Sequence, residues 1–216
     1  MNETPTVLLG PSPSGARCVV VLLHGRDQDP DWIVKHVVAR LPDDPSVAWI
    51  VPAAPGRSWY PGRYTEPPEA LAPHLEQALA TVDGCVARAA GGVGLARTVL
   101  TGFSQGACLA AEYALRHPAR YGGLVLFTGA HIAPDTPRTV PGHLDGTPAF
   151  LGTGAHDEWV AAEHVRATAG LLADHGARVD SRVYQGRPHE VGDDEIAAAH
   201  ALLTGVAAPG ATPDDR

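Results

Sequence analysis

The sequence lacks the features that mark several special classes of protein. Its three cysteines form no C-x-x-C pair, so neither a disulfide framework nor a cysteine metal site is indicated. The longest apolar run, residues 18–23, is far shorter than the roughly 20 residues that span a bilayer. Since no charged and apolar leader opens the sequence, we expect no secretory signal. These absences predict a cytoplasmic protein with free thiols and no membrane insertion.

Lysine is nearly absent, with Lys35 alone, and the formal net charge at pH 7 is −8. The arginines and acidic residues are dispersed along the chain rather than clustered. Such a pattern offers no basic surface to nucleic acid or to anionic lipid. The histidines form neither an H-x-x-x-H nor a Cys/His ligand pattern, so no metal site is indicated. We expect a small-molecule partner, and the sequence leaves a homodimer open.

Short apolar runs alternate with longer helical patterns, which predicts a mostly parallel sheet with helices on both faces. The predicted strands cover residues 18–23, 47–51, 98–101, 123–127, 148–152 and 181–184, with 7–9 as an additional edge strand. The predicted helices cover 31–41, 69–90, 105–116, 158–173 and 194–203. Since no linker divides the chain, we expect one domain over residues 1–216, with a core at about 16–205 and a disordered tail from 206.

The pentapeptide Gly102-Phe103-Ser104-Gln105-Gly106 matches the G-x-S-x-G pattern of a nucleophile elbow. A strand is predicted before it and a helix after it, as that turn requires. The sharp turn lifts a serine hydroxyl above the sheet, and the glycines let the backbone pass close to its neighbours. The start of the helix also directs N–H groups toward the reacting atom. Ser104 is therefore the predicted nucleophile.

A serine nucleophile needs a base and an orienting acid, which follow it in the order acid, then histidine. Asp157 follows the predicted strand 148–152, and His189 follows the strand 181–184. Both lie at the sheet edge that carries Ser104. An alternative for Asp157 is the N-cap of the helix predicted after it. The rival bases His117 and His175 fall at predicted helix ends.

The oxyanion hole is expected to use two backbone N–H groups, those of Gln105 and Arg26. Arg26 follows His24 and Gly25 in the loop after the first central strand, where the glycine allows close approach. We interpret His24 as support for this loop rather than as an acid–base group.

Four segments resemble the phospholipase/carboxylesterase family of small α/β-hydrolases, which includes the acyl-protein thioesterases. They are Leu22-Leu23-His24-Gly25, Gly102-Phe103-Ser104-Gln105-Gly106-Ala107, Gly154-x-x-Asp157-x-x-Val160 and His189. The resemblance spans about residues 18–205 and implies an α/β-hydrolase fold without a large lid domain, acting on esters or thioesters through a serine triad. Two positions depart from the family pattern: Asp27 stands where a second glycine is common, and Ala161 stands where proline is common.

Several residues on the same loops are candidate substrate contacts: His24, Arg57, Trp59, Tyr60 and Trp159. The aromatic ones either wall a pocket or anchor their loops by packing. The arginines on these loops, Arg26, Arg57, Arg63 and Arg187, either remain solvated or bind a substrate anion. Charged groups near the acyl site are costly to desolvate beside an alkyl chain. We therefore expect short or aromatic acyl groups to be preferred over palmitoyl-type ones.

The pattern as a whole predicts a serine hydrolase that cleaves a carboxylic ester or thioester without a cofactor. Two alternatives remain. An alcohol or amine acceptor in place of water would make the protein an acyltransferase with the same acyl-enzyme. A non-catalytic ligand-binding relative of the same fold is the other, although such proteins usually lose a member of the triad and all three residues are present here.

Overall fold

The computed structural model describes residues 5–206, which form a seven-stranded sheet covered on both faces by helices. The strands are β1 (Thr6–Leu9), β2 (Cys18–Leu23), β3 (Val47–Pro52), β4 (Thr98–Phe103), β5 (Gly123–Phe127), β6 (Pro148–Gly154) and β7 (Arg178–Tyr184). The helices are α1 (Pro30–His36), α2 (Pro68–Leu71), α3 (His74–Val93), α4 (Gln105–Arg116), α5 (Ala162–Asp174) and α6 (Asp193–Gly205). Within this part of the chain, no helix has both the length and the apolar character needed to cross a membrane.

The strand order is β1-β3-β2-β4-β5-β6-β7. Strand β1 pairs with β3 in the antiparallel direction, and the other pairs are parallel. Parallel strands place their carboxyl ends at one edge, so the loops after β2, β4, β6 and β7 open on the same side of the sheet. The predicted α/β-hydrolase fold class is confirmed, and this edge is where the candidate residues lie.

Both faces of the sheet are buried, and successive residues of a strand alternate between two apolar cores. In β2, Val19 and Val21 face the core formed with α3, α4 and α5. Their neighbours Val20 and Leu22 face the core formed with α1 and α6. Helix α4 is enclosed almost completely, since every residue from Gln105 to Leu115 is buried. The helix that begins at the candidate nucleophile is thus held in place by packing on all sides.

Three predicted helices differ from those in the structure. The helix predicted over 69–90 is divided into α2 and α3 at Pro73, because proline has no N–H for an interior helical bond. The helix predicted over 31–41 ends at His36 and continues as a 3₁₀ turn, Val38–Arg40. The helix predicted from 158 begins only at Ala162.

The strand at the far edge is longer than predicted, since β7 begins at Arg178 rather than at 181. The first residue of the predicted disordered tail, Val206, is described by the structure. Val206 is buried, and its carbonyl accepts a hydrogen bond from Arg17 Nη1 at 3.0 Å. Residues 207–216 of that predicted tail lie outside the described residues.

Candidate active site

The turn between β4 and α4 holds Ser104 in a conformation that few residues other than glycine adopt, with φ +53° and ψ −120°. Its two glycines are required by contact. A Cβ on Gly102 would lie 2.5 Å from the Gly106 carbonyl carbon, and one on Gly106 would lie 2.3 Å from the Leu23 carbonyl oxygen. The Ser104 N–H donates to the Phe127 carbonyl at 2.9 Å, which fixes the turn against β5. The serine side chain remains partly exposed above the sheet.

The structure brings Ser104, His189 and Asp157 into one hydrogen-bonded chain. Ser104 Oγ lies 2.8 Å from His189 Nε2, and His189 Nδ1 lies 2.7 Å from Asp157 Oδ2. The three residues come from the turn after β4 and from the loops after β7 and β6. The rivals lie elsewhere: His117 and His175 follow the last residues of α4 and α5, and His175 Nδ1 lies 2.8 Å from the Leu171 carbonyl oxygen.

Asp157 is held by its own loop rather than capping the following helix. Its Oδ1 accepts the N–H groups of Trp159 and Val160 at 2.8 and 2.9 Å, while α5 starts later, at Ala162. Burial raises the pKa of Asp157, but the hydrogen bonds from His189 and from these two N–H groups outweigh it and leave the pKa below its ordinary value. The carboxylate is therefore ionised at neutral pH, and it faces the His189 ring.

The loop that carries His189 is anchored by a buried carboxylate, Glu195 of α6. Glu195 Oε2 accepts the Gly192 N–H at 2.7 Å and lies 3.2 Å from Arg187 Nη1. The Arg187 guanidinium lies 3.8 Å from the centre of the Tyr184 ring. Burial raises the pKa of Glu195 to about 7. Sequence reasoning missed this residue, although a glutamate three positions after the N-cap Gly192 fits one half of a capping box, in which the N3 side chain accepts the N-cap N–H.

The loop after β2, which carries Arg26, is built by side chains beneath it. His24 is fully buried; its Nε2 accepts the Ala54 N–H at 3.0 Å, and its Nδ1 lies 2.7 Å from the Gly25 carbonyl oxygen. Trp59 Nε1 donates to the His24 carbonyl at 2.8 Å. Burial lowers the pKa of His24, which favours a neutral ring able to accept. Both side chains thus support the loop and do not line the cavity beside Ser104.

Asp27 adopts φ +60°, the left-handed region that favours glycine. Its N–H donates to the Arg57 carbonyl at 2.8 Å, which joins the loop after β2 to the loop after β3. The departure from the family's glycine therefore keeps the backbone shape, because aspartate tolerates this region better than most residues. The Arg57 guanidinium lies 3.1 Å from Asp29, and it does not line the cavity beside Ser104.

Beside Ser104 lies a cavity of about 260 Å³, here called the Ser104 pocket. Of the predicted substrate contacts, Tyr60 and Trp159 line it, together with Arg26 of the oxyanion loop. Arg63, Tyr64 and Cys108 also line this pocket. The Trp159 side chain is 59% exposed at its rim.

The side chain of Gln105 does not face a substrate. Its Oε1 accepts the Trp59 N–H at 3.0 Å, and its Nε2 donates to the Tyr60 carbonyl at 2.8 Å. These bonds tie the first residue of α4 to the loop after β3. The Gln105 backbone N–H belongs to the residue after Ser104, at the N-terminus of α4. It has no acceptor among residues 5–206.

A second cavity, of about 740 Å³, adjoins the first and is here called the Trp32 groove. It shares Gln28, Phe103 and His189 with the Ser104 pocket. Its remaining lining residues come from α1, the 3₁₀ turn after α1, the histidine loop and the start of α6: Trp32, His36, Arg40, Arg187, Glu190, Val191, Gly192, Asp193 and Asp194. Among the described residues, no group of three His, Cys, Asp or Glu side chains is arranged to hold a metal ion.

A family profile and a solved structure that match this chain carry the same family description. A profile described as phospholipase/carboxylesterase matches residues 11–206. A phospholipase/carboxylesterase from Dyadobacter fermentans is 32% identical over 94% of this chain and 99% of its own, with a TM-score of 0.85. A carboxylesterase from Mesorhizobium loti is 25% identical over 94% and 100%, with a TM-score of 0.72. No curated protein matches the sequence.

More distant structures share the fold alone. An acyl-protein thioesterase 2 from Zea mays is 18% identical over 94% of this chain and 99% of its own, with a TM-score of 0.72. At this identity the likeness carries no statement about substrate.

Proposed function

The chain belongs to the phospholipase/carboxylesterase family and is a hydrolase of the carboxylesterase type, and we propose that Ser104, His189 and Asp157 form its catalytic triad. The observation that carries this proposal is their hydrogen-bonded chain, with 2.8 Å between Ser104 Oγ and His189 Nε2 and 2.7 Å between His189 Nδ1 and Asp157 Oδ2. Both distances suit proton transfer and orientation of an imidazole.

In the first half of the reaction, Ser104 Oγ attacks the acyl carbon while His189 Nε2 takes the hydroxyl proton. The Asp157 carboxylate keeps the other ring proton on Nδ1 and stabilises the imidazolium that forms. The developing oxyanion is bound by the backbone N–H groups of Gln105 and Arg26. The free Gln105 N–H at the start of α4 supports this assignment, since a helix N-terminus favours negative charge.

Acylation is complete when His189 returns the proton to the leaving alcohol or thiol, and the acyl group stays on Ser104 as an ester. In the second half, water loses a proton to His189 and attacks the acyl carbon. The tetrahedral intermediate then collapses to the acid as His189 returns that proton to Ser104 Oγ. No cofactor takes part in this scheme. We place the enzyme in the cytoplasm, because its cysteines, Cys18, Cys85 and Cys108, are free and buried.

We assign the acyl group of the substrate to the Ser104 pocket and propose that it is short or aromatic. The volume of about 260 Å³ falls below the range of roughly 300–1,000 Å³ that is usual for drug-sized ligands. Arg26 and Arg63 belong to the lining, and a long alkyl chain beside them would desolvate two charges. Tyr60, Tyr64 and Trp159 offer flat apolar surface of the kind that suits an aromatic acyl group.

A fluorophosphonate probe tests the nucleophile directly, because it reacts with an activated serine hydroxyl. We expect stoichiometric labelling of the wild type at Ser104, and none of the Ser104→Ala variant. Ser58→Ala is the matched control, since Ser58 lies on the loop beside Gln105 but outside the proposed triad. Labelling that survives in Ser104→Ala would refute the proposal.

Acyl transfer to an alcohol or amine uses the same acyl-enzyme and is the alternative reaction. Adding glycerol or a primary amine to an ester assay separates the two, because transfer yields a new ester or amide. We expect free acid as the main product. A main product that carries the acceptor would assign the chain to acyl transfer.

A further inference from the structure

We propose that the Trp32 groove binds the leaving group of the substrate, and that this group is an uncharged, hydroxyl-rich alcohol such as a sugar. The inference rests on the proposed triad and adds the chemistry of the alcohol half of the ester. The Trp32 groove is distinct from the pocket assigned to the acyl group and is almost three times as large.

The reaction itself places the two halves of the substrate. The acyl carbon bonds to Ser104 Oγ, so the acyl group lies in the cavity that contains Ser104 and Gln105, which is the Ser104 pocket. The leaving oxygen must receive its proton from His189 Nε2, so the alcohol departs on the side of the histidine. His189 lies on the border of both cavities, and beyond it the Trp32 groove opens. The alcohol half therefore enters that groove.

The part of the Trp32 groove next to His189 is lined by stacked aromatic rings. The Phe103 ring lies 5.0 Å from that of His189, and the Trp32 ring lies 5.4 Å from that of Phe103, measured between centres. His36 stacks on Trp32 at 3.8 Å with an interplanar angle of 11°. These rings are stacked on one another, so they present mainly apolar edges to the groove. The C–H groups of a pyranose suit such edges, while its hydroxyls need polar partners.

The rest of the lining supplies charged groups that are paired with one another. Arg40 Nη2 lies 2.6 Å from Asp193, and Arg40 Nη1 donates to the Val191 carbonyl at 2.7 Å. Arg187 lies 2.5 Å from Asp194 and 3.2 Å from Glu195. Neither guanidinium is free to bind a phosphate or carboxylate. The carboxylate lone pairs and remaining N–H groups can still hydrogen-bond to hydroxyls.

The charge balance argues against an ionic leaving group of either sign. The lining contains Arg40 and Arg187 against Glu190, Asp193 and Asp194, so its formal charge is negative and an anionic alcohol is repelled. A cation would gain little, because the carboxylate left without an arginine partner in the described chain, Glu190, is exposed, and exposed ion pairs contribute about 0–1 kcal/mol. A neutral polyol avoids both costs.

The test compares acetyl esters that differ only in the alcohol: ethyl acetate and the 3-O-acetyl esters of glucose, glucuronate and glucosamine. For the wild type, we expect kcat/KM for the glucose ester to exceed that for ethyl acetate and for the glucuronate ester by at least tenfold each. Trp32→Ala should reduce the ratio of kcat/KM for the glucose ester to that for ethyl acetate about tenfold, chiefly through KM. Leu95→Ala, a change at an exposed residue outside both cavities, is the control.

Glu190→Lys gives a second variant that removes no buried contact. It should raise kcat/KM for the glucuronate ester by several-fold relative to the glucose ester. A wild-type preference for the glucuronate or glucosamine ester, or a ratio that Trp32→Ala leaves unchanged, overturns the inference while the triad stands. Failure of the wild type to hydrolyse any of these esters, together with absence of fluorophosphonate labelling, overturns the triad itself.

Discussion

Gly106, in the first turn of α4, lies against the Leu23 carbonyl oxygen at the end of β2, and a Cβ on the glycine would stand 2.3 Å from that oxygen. This contact lets the nucleophile's helix pass beside the loop that carries Arg26. The positions of both backbone N–H groups proposed for the oxyanion hole therefore depend on a glycine at position 106.

We expect Gly106→Ala to lower the free energy of unfolding by about 1–3 kcal/mol, because the added methyl forces buried backbone apart. Activity should fall with it. The control is Gly84→Ala in α3, where a Cβ would meet nothing within 4 Å. That change should raise the free energy of unfolding by roughly 0.5–1 kcal/mol, the usual gain of alanine over glycine in a helix. Urea denaturation measures both, and equal stability of Gly106→Ala and wild type would contradict the packing argument.

Asp157→Asn should reduce kcat by up to about 10⁴-fold without unfolding the protein, because a neutral amide no longer stabilises the imidazolium or fixes the tautomer of His189. Asp174→Asn, at the exposed end of α5, should leave kcat within about twofold. Steady-state kinetics on a p-nitrophenyl ester, with circular dichroism as the check on folding, decides the matter. If Asp157→Asn keeps more than a tenth of wild-type kcat, the acid has been assigned wrongly.

Along a p-nitrophenyl ester series from acetyl to dodecanoyl, we expect kcat/KM to be highest for short chains, with the benzoyl ester also accepted. In a continuous apolar groove, each additional CH₂ would contribute about 0.8 kcal/mol, or roughly fourfold. A steady increase to the longest chain would therefore show that such a groove exists and would refute the short-acyl assignment.

Arg63→Met extends this test, since Arg63 lines the Ser104 pocket and is exposed. Removing its charge should shift the optimum toward longer chains, because less charge is desolvated beside them. Arg88→Met, at an exposed position of α3, is the matched loss of one arginine and should leave the chain-length profile unchanged.

Because Glu195 is buried, we expect the free energy of unfolding to depend on pH. Burial raises its pKa to about 7, above the ordinary 4.5, so between these values the folded state binds more proton than the unfolded state. The contribution of this group to stability is therefore complete below pH 4.5 and is lost as the pH rises through 7. Glu195→Gln cannot titrate, so its free energy of unfolding should fall less than that of the wild type between pH 4.5 and 7.5. If urea denaturation gives the same fall in the free energy of unfolding for the wild type and for Glu195→Gln across this range, the assignment is wrong.

The arrangement of Ser104, Asp157 and His189 was predictable because each follows a strand whose apolar pattern is clear, and because parallel strands end at one edge. The start of α5 was not, since the side chain of Asp157 binds the N–H groups of Trp159 and Val160 and holds them outside the helix. The side chain of Asp157 thus delays the start of the helix beyond Val160, against the local helix propensity.

Residues whose partners are distant in sequence were the hardest to interpret. His24 binds Ala54, 30 residues away, and Arg57 pairs with Asp29, so neither reaches the Ser104 pocket that its loop position suggested. Glu195 was overlooked because its burial depends on Gly152, where a Cβ would lie 2.0 Å from the carboxylate. Only the packing of α6 on β6 reveals that contact.

The border between the two cavities has a consequence for how specificity can change. Among the described residues, the Ser104 pocket and the Trp32 groove share only Gln28, Phe103 and His189. Substitutions that touch one cavity and not this border should have effects on kcat/KM that add in free energy to those in the other. Preference for the acyl group and preference for the alcohol are then independent, and each can be altered by mutation without changing the other.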